Sequence, residues 1–469
     1  MYAKVDDEVL KFLTNLFDRD EVLVDPDLLE KYSHDEVAGL KAEPEVVVRA
    51  TTVHQISKLM NFANEKKIPV TPRGAGYGLS GGAVPIYGGI VLSLEKMDRI
   101  LEIDKKNLMI TVEPGVITGK IHEAVEKEGL FYPPDPASLD SCSIGGNIAE
   151  CAGGPRAIKY GVTREYVCGL EAVLPSGEII QLGGKLVKNV TGYDLIQLLI
   201  GSEGTLAIIS RIILRLIPLP RVTIDLLVAF NEFQAAADTA SAIIERQILP
   251  ASIEFMEQDS LLACEKYLKK ELPLHDAAAF LLIKLDGNRK EDVEALCESV
   301  GEVCFEHDAV DVLIADDRPT QERLWEGRRA IVDALKERSP VNHMEDVVVP
   351  RARISDFLRE IRKLQEKYGY PIICFGHSGD GNVHVNVLKE DRPEDKWKGT
   401  IPKISEEIFD IALALGGQIT GEHGVGVTRR QYLEKAVGPK AVQFFRGIKQ
   451  LFDPSNILNP GKIFPPRSY

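Results

Sequence analysis

Pro72-Arg73-Gly74-Ala75-Gly76-Tyr77-Gly78-Leu79-Ser80-Gly81-Gly82 places five glycines within the nine residues 74–82. Glycine reaches positive φ without strain and lets a backbone come close to a ligand. Successive free N–H groups in such a loop form a concave nest for phosphate oxygens. A pair of glycines would read as a turn; five read as a cradle. A Rossmann loop needs a helix directly after its glycines, so that the helix N-terminus meets the pyrophosphate. Here Ala83-Val84-Pro85 and Tyr87-Gly88-Gly89 follow, and then the strand-like Ile90–Leu94. Gly76-Tyr77-Gly78-Leu79-Ser80-Gly81 does spell GxGxxG, but the helix that motif requires is missing after it, and no GxxxxGK loop occurs. This cradle therefore belongs to another kind of nucleotide fold.

Two further clusters lie downstream. Tyr132-Pro133-Pro134-Asp135-Pro136 makes a rigid, extended approach to Ser143-Ile144-Gly145-Gly146-Asn147-Ile148-Ala149, then Ala152-Gly153-Gly154, then Tyr160-Gly161. The third cluster is Asn189-Val190-Thr191-Gly192-Tyr193-Asp194, followed after a helix by Gly201-Ser202-Glu203-Gly204-Thr205. Three loops built for close backbone approach suit a long ligand with a pyrophosphate and a flat ring.

Around these loops the chain reads as α+β. Residues 1–40 form a helical arm, with Leu10, Leu13 and Phe17 at helical spacing. Residues 41–220 alternate helices and β-rich runs, including a hairpin turned at Pro175-Ser176-Gly177. Residues 221–425 continue with strands near 224–230, 252–256, 278–285 and 309–314. Helices near 232–246, 259–270, 290–302, 320–338 and 354–368 complete a sheet with helices packed on one face. Residues 426–469 form a C-terminal segment.

Composition sets outer limits. The chain has 469 residues, of which 44% are hydrophobic and 27% charged, which excludes wholesale disorder, collagen and a coiled coil. The net charge of −15 makes it a poor general binder of nucleic acid or anionic membrane. The seven cysteines form no CxxC, so disulfides and an iron–sulfur cluster held by this chain alone are not expected. No signal peptide or spanning segment is read, and a cytoplasmic protein is expected, either free or peripheral at a membrane through a partner.

The glycine clusters resemble the FAD loops of the flavoprotein superfamily that includes vanillyl-alcohol oxidase and p-cresol methylhydroxylase. The likeness covers residues 41–220 and rests on 73–82, 143–147, 152–154 and 201–205. It implies a two-part FAD-binding domain with the pyrophosphate on the 73–82 loop. The residues it assigns to FAD are Pro72, Arg73, Gly74, Ala75, Gly76, Gly78, Leu79, Ser80, Gly81, Pro136, Ser143, Ile144, Gly145, Gly146, Asn147, Ala149, Ala152, Gly153, Gly154, Tyr160, Gly161, Glu203, Gly204, Ile208 and Asn459. No residue demands a covalent flavin.

The second half contains Phe375-Gly376-His377-Ser378-Gly379-Asp380-Gly381-Asn382-Val383-His384-Val385-Asn386-Val387. Strand alternation puts His384 and Asn386 on one face, and Gly379-Asp380-Gly381 turns the chain so that the two imidazoles can converge. Gly421-Glu422-His423-Gly424 adds a carboxylate beside a third imidazole. A lone histidine is usually a satisfied core or surface group. Here three of the chain's nine histidines fall in two short segments. Two histidines and a carboxylate match a divalent transition-metal site with open positions, suited to zinc, manganese or iron.

These segments resemble the D-2-hydroxy-acid dehydrogenase branch, which includes D-lactate dehydrogenases, the glycolate oxidase flavin subunit and D-2-hydroxyglutarate dehydrogenase. The resemblance implies His377, His384 and Glu422 as metal ligands, Asn386 at the substrate and His423 as catalytic base. Leu324-Trp325-Glu326-Gly327-Arg328 matches too, so Arg328 is expected to clamp the substrate carboxylate, a task suited to its bidentate fork. The tail Phe452–Lys462 is expected to return to the FAD domain. Where hydroxyglutarate enzymes carry a lysine and a threonine, this chain has Met344 and Val332, which favours a small monocarboxylate.

The expected activity is oxidation of a D-2-hydroxy acid, D-lactate first and glycolate next. Electrons would pass from FAD to an electron-transfer flavoprotein, an iron–sulfur subunit or a quinone. Homodimerisation is compatible with the sequence. Two alternatives stand beside this: D-2-hydroxyglutarate oxidation, and a metal-dependent hydrolase using the same His/His/Glu set. The hydrolase leaves the glycine loops unexplained.

Overall fold

The computed structural model describes residues 2–274 and 276–465. The chain divides into two compact units. The first comprises 2–152, 162–219 and 423–465, and the second 153–161 and 220–422.

The first unit holds two sheets. In the smaller, Val46–Arg49, Ile90–Ser93 and Val70–Arg73 run parallel, with Ile90–Ser93 in the middle and Val22–Leu23 antiparallel at one edge. The helix Val53–Lys66 crosses between the first two parallel strands in the chain. It starts on a capping box in which Thr52 and Gln55 satisfy each other's backbone N–H groups. The larger sheet is antiparallel, in the order Ile100–Asp104, Met109–Val112, Ile208–Arg215, Val167–Val173, Ile179–Gly183.

The N-terminal segment is not a free arm. Val9 and Leu13 of the helix Asp7–Leu16 and Phe17 at its C-cap are buried in one core with Ile56, Leu59 and Met60 of the crossing helix. Ile457 and Leu458 of the returning tail belong to that core as well. The tail is anchored by Lys449, whose Nζ donates to the Thr205 and Leu458 carbonyls at 2.8 Å each and pairs with Asp453 at 2.5 Å. A lysine this buried is tolerated because its ammonium is paired and hydrogen-bonded.

The second unit is built on a seven-stranded antiparallel sheet. Its order is Ala309–Ala315, Val222–Phe230, Ala279–Gly287, Ser252–Glu257, Ile372–His377, Asn382–Leu388, Asn342–Val348. The expected one-sided cover is corrected: helices meet both faces. Gln258–Leu268, Arg318–Arg329 and Ile331–Arg338 pack with Met256, Phe280, Ile373 and Phe375. Phe233, on the helix Phe233–Glu245, meets Phe255 edge-on, and Phe255 alternates with Met256 to the opposite face. Near-continuous burial of these strands follows from cover on both sides.

Two local readings also change. The single helix expected over 320–338 is two, meeting at Ala330, where ψ is −11°. The second glycine cluster is not all loop. Ile144–Glu150 is a short helix that buries Ile144 and Ile148, one turn apart. Among the described residues no helix is long and apolar enough to cross a membrane.

Candidate active site and cofactor loops

In the first unit, the strand Val70–Arg73 runs directly into the 74–82 loop, and the next regular element is the strand Ile90–Ser93. Ser143 ties this loop to the second cluster, because its Oγ accepts from the Ala75 N–H at 3.2 Å. A Cβ on Gly74 would collide with that hydroxyl, and one on Gly145 would lie 2.6 Å from Pro114 Cβ. The N–H groups of Ile144 and Gly145 donate to the carbonyls of Val116 and Pro114, and Asn147 Nδ2 donates to Thr118 Oγ1 at 2.9 Å. The third cluster joins through Glu203, whose N–H donates to the Ala149 carbonyl. Glu203 lies at φ +52°, and its carboxylate accepts from the N–H groups of Val425 and Gly426 at 2.8 and 2.6 Å. Asn459 spans the first and third loops, donating from Nδ2 to the Gly82 and Glu203 carbonyls at 3.0 and 2.9 Å.

Two buried acceptors on these loops, Ser80 Oγ and Asn459 Oδ1, meet no hydrogen-bond partner among the described residues. Buried polar atoms are rarely left so. Glycine-lined backbone and two orphaned polar atoms in converging loops fit a bound dinucleotide.

Not every predicted FAD residue sits there on the same terms. Arg73 is buried, with its guanidinium donating to the His34 and Lys31 carbonyls at 2.7 and 3.1 Å, so it holds the 31–34 turn. Gly153, Gly154, Tyr160 and Gly161 belong to the second unit, and the Tyr160 hydroxyl donates to Asp286 at 2.7 Å. Leu79, Gly78 and Gly81 lie in the first loop, Ala152 ends the first segment of the first unit, and Ile208 begins a strand of the larger sheet. Pro136 precedes the second cluster, with its carbonyl accepting from Leu139.

The second unit gathers the metal candidates on one face of its sheet. Antiparallel register sets Glu254 opposite His377, Phe375 opposite His384, Asp346 opposite His384 and Met344 opposite Asn386. Residues directly opposite share a face, so Glu254, His377, His384, Asn386, Asp346 and Met344 all point to the same side. The imidazoles meet edge-on with ring centroids 5.3 Å apart. His377 Nε2 lies 3.5 Å and His384 Nε2 3.6 Å from the same oxygen, Oε1 of Glu422.

Each imidazole has a fully buried carboxylate behind it. His377 Nδ1 is 2.7 Å from Glu254 Oε1, and His384 Nδ1 is 3.6 Å from Asp346 Oδ1. Burial opposes charge on His377, but Glu254 and Glu422 outweigh it and hold the imidazole well above its ordinary pKa. Burial likewise pushes the Glu254 carboxyl up, and His377 and Arg328 together bring it below the usual range. Asp346 also receives the N–H groups of Gly421 and Glu422 at 2.9 and 3.0 Å and the Thr420 hydroxyl at 2.9 Å. It thereby fixes the corner that presents Glu422. With the Nε2 protons released, one nitrogen of each ring and a carboxylate oxygen form a donor set that fits a divalent metal.

Arg328 is buried beside this set, with its guanidinium 5.0 Å over the Phe375 ring and Nη2 2.6 Å from Glu254 Oε2. Asn386 is buried and donates to the Ile373 carbonyl at 3.4 Å. His423 follows Glu422 and opens the segment that returns to the first unit, where it is half-buried. Glu254 and Asp346 were given no role by sequence reasoning. For Glu254 the available signal was an acid between two apolar residues, Ile253-Glu254-Phe255, since such acids are rarely buried unless paired. Asp346, beside Glu345 in a polar strand, carried no such signal.

Comparison with known proteins gives the family. Residues 44–183 match an FAD binding domain, and residues 219–463 match the C-terminal domain of FAD-linked oxidases. The chain belongs to the FAD-linked oxidase family. It is 44% identical to glycolate oxidase subunit GlcD of Bacillus subtilis over 92% of each chain. It is 39% identical to a D-lactate dehydrogenase of Anaerostipes hadrus over 98% of each. Its fold is that of p-cresol methylhydroxylase, with a TM-score of 0.80 over 99% of this chain and 98% of that one, at 19% identity. This member of the family is an FAD-dependent oxidoreductase whose relatives act on 2-hydroxy acids.

Proposed function

We propose that this chain oxidises a small D-2-hydroxy acid, D-lactate foremost and glycolate next, to the 2-oxo acid, with FAD and one divalent metal. The observation that carries the reading is the convergence of His377 Nε2 and His384 Nε2 on one oxygen of Glu422, at 3.5 and 3.6 Å, with Arg328 buried beside them. The names of the relatives support the substrate class. The cofactor loops are those of 74–82, 143–149 and 201–204, with Asn459.

Oxidation of R–CH(OH)–COO⁻ removes a proton from oxygen and a hydride from carbon. When bound, FAD supplies the two-electron acceptor and the metal supplies Lewis acidity at the hydroxyl oxygen. His377, His384 and Glu422 would hold that metal. Arg328 would bind the substrate carboxylate through its N–H edge, which fixes the orientation of C2. Asn386 would contact the substrate from the same sheet face as His384. His423 would take the hydroxyl proton, a contribution of roughly 10²–10⁴-fold for general-base catalysis.

The electrons would leave to a separate acceptor, for which an electron-transfer flavoprotein is our first choice over an iron–sulfur subunit or a quinone. Anaerobic mixing with a panel of D- and L-2-hydroxy acids, with metal analysis of the same sample, tests the reading. Bleaching of the flavin band by D-lactate or glycolate is the expected result. A band untouched by every acid in the panel would sink it. Stopped-flow reoxidation of the reduced protein by each acceptor class tests the partner.

A further inference from the structure

Glu254 stands in the strand Ser252–Glu257 with no exposed surface, between the apolar Ile253 and Phe255. One oxygen accepts from His377 Nδ1 at 2.7 Å, and the other forms an ion pair with Arg328 Nη2 at 2.6 Å. Replacing a buried ion pair by well-packed apolar side chains commonly leaves stability unchanged or raises it. Stability therefore does not account for a charge at this position. What distinguishes it is that two groups with different tasks end on the same carboxylate.

We propose that Glu254 is a positioning residue that couples metal binding to substrate-carboxylate binding by fixing His377 and Arg328 together. The inference rests on the reading of His377 as a metal ligand and Arg328 as a carboxylate clamp. A carboxylate can only accept, so the N–H of a neutral His377 sits on Nδ1, facing Glu254. That leaves the lone pair on Nε2, the nitrogen 3.5 Å from Glu422. On the other side, Glu254 occupies Nη2 of Arg328, while the buried Nε of that guanidinium meets no acceptor among the described residues. An incoming carboxylate supplies the missing acceptor. The Phe375 ring under the guanidinium keeps its plane from swinging.

Glu254→Gln separates this role from simple packing. The amide has nearly the same shape but offers one acceptor and one donor where both neighbours bring N–H groups. Either His377 must move its proton to Nε2, which blocks the ligand nitrogen, or Arg328 loses its partner. In metal-stripped, FAD-loaded protein, Zn²⁺ affinity by equilibrium dialysis should fall about 10–100-fold, the usual loss when such a carboxylate is removed. FAD content should stay at the wild-type value, the melting temperature should fall because Arg328 loses its buried counter-charge, and KM for the hydroxy acid should rise in the same variant. Zn²⁺ affinity within twofold of wild type overturns the positioning role and leaves the metal reading standing. A wild-type protein that itself holds no Zn²⁺ overturns both. Should Glu254→Gln not yield folded protein, Glu254→Asp replaces it, with both acceptors kept on a shorter stem. A loss of Zn²⁺ affinity of about threefold or more is then expected, and an unchanged affinity overturns the proposal.

Discussion

Asp346 lies directly opposite His384 in the antiparallel pair Asn342–Val348 and Asn382–Leu388, and its carboxylate receives donors from both sides of the site. Oδ1 accepts from Asn382 Nδ2 at 2.6 Å, and Oδ2 takes the Thr420 hydroxyl and the N–H groups of Gly421 and Glu422. The corner that carries Glu422 is thus hung on the same acid that stands behind His384. Asp346→Asn replaces one acceptor oxygen by a donor. Each hydrogen bond to a buried charge is worth about 1.5–3 kcal/mol. We expect a loss of about 3 kcal/mol in urea unfolding, with weaker metal retention. A change below about 0.5 kcal/mol would show that the corner is held by something else.

Metal removal would separate the two proposed cofactors. The loops 74–82, 143–149 and 201–204 lie in the first unit, and His377, His384 and Glu422 in the second. Dialysis against a chelator should leave the yellow flavin in place and abolish its reduction by D-lactate, with Zn²⁺ or Mn²⁺ restoring it. His384→Ala should reproduce the loss without rescue by metal. His423→Ala should keep both metal and flavin but slow flavin reduction by about 10²–10⁴-fold, the usual range for a general base. Wild-type reduction rates after complete chelation would remove the metal from the mechanism.

The legible part of this molecule was what backbone chemistry writes locally. After five glycines in nine residues the chain was read to continue into a strand and not a helix, and the next regular element is the strand Ile90–Ser93. Strand alternation put His384 and Asn386 on one face, as the register has them. The carboxylates behind the histidines were not legible, because Glu254 is 123 residues from His377 and Asp346 is 38 from His384, and only sheet pairing brings them together. The pairing of Lys159 and Tyr160 with Asp286, 127 and 126 residues away, was equally out of reach of local reading. Ile144–Glu150 was missed because two glycines mask helical spacing, and the need for Gly145 arises from Pro114 packed against it.

Gly76 tests the cradle. It lies at φ +83°, and an added Cβ would run into the Arg73 guanidinium that holds the 31–34 turn. The left-handed conformation alone costs an alanine roughly 1–2 kcal/mol. Gly76→Ala should therefore be purified with little FAD and a lower melting temperature. Gly399→Ala is the control, because a Cβ there meets open space within the helix Glu394–Ala414. It should keep full FAD and gain up to about 1 kcal/mol from helix propensity. Full flavin occupancy in Gly76→Ala would remove the 74–82 loop from the cofactor site.

Met344 is the residue we propose to discriminate between acids of one and two carboxylates. It stands opposite Asn386 and one alternation from Asp346, on the face that carries both histidines. A second carboxylate brought to this face would find a thioether where a cation is needed, and burying an unpaired charge costs several kcal/mol. Discrimination of about 2.8 kcal/mol corresponds to about 100-fold. The wild-type protein should therefore favour D-lactate over D-2-hydroxyglutarate by at least about 100-fold in kcat/KM. Met344→Lys should narrow that ratio chiefly by lowering KM for the dicarboxylate, since the lysine adds binding without touching the group that takes the proton. Equal kcat/KM for the two acids in the wild-type protein would mean that another residue supplies the cation, and the preference for a monocarboxylate would fall with it.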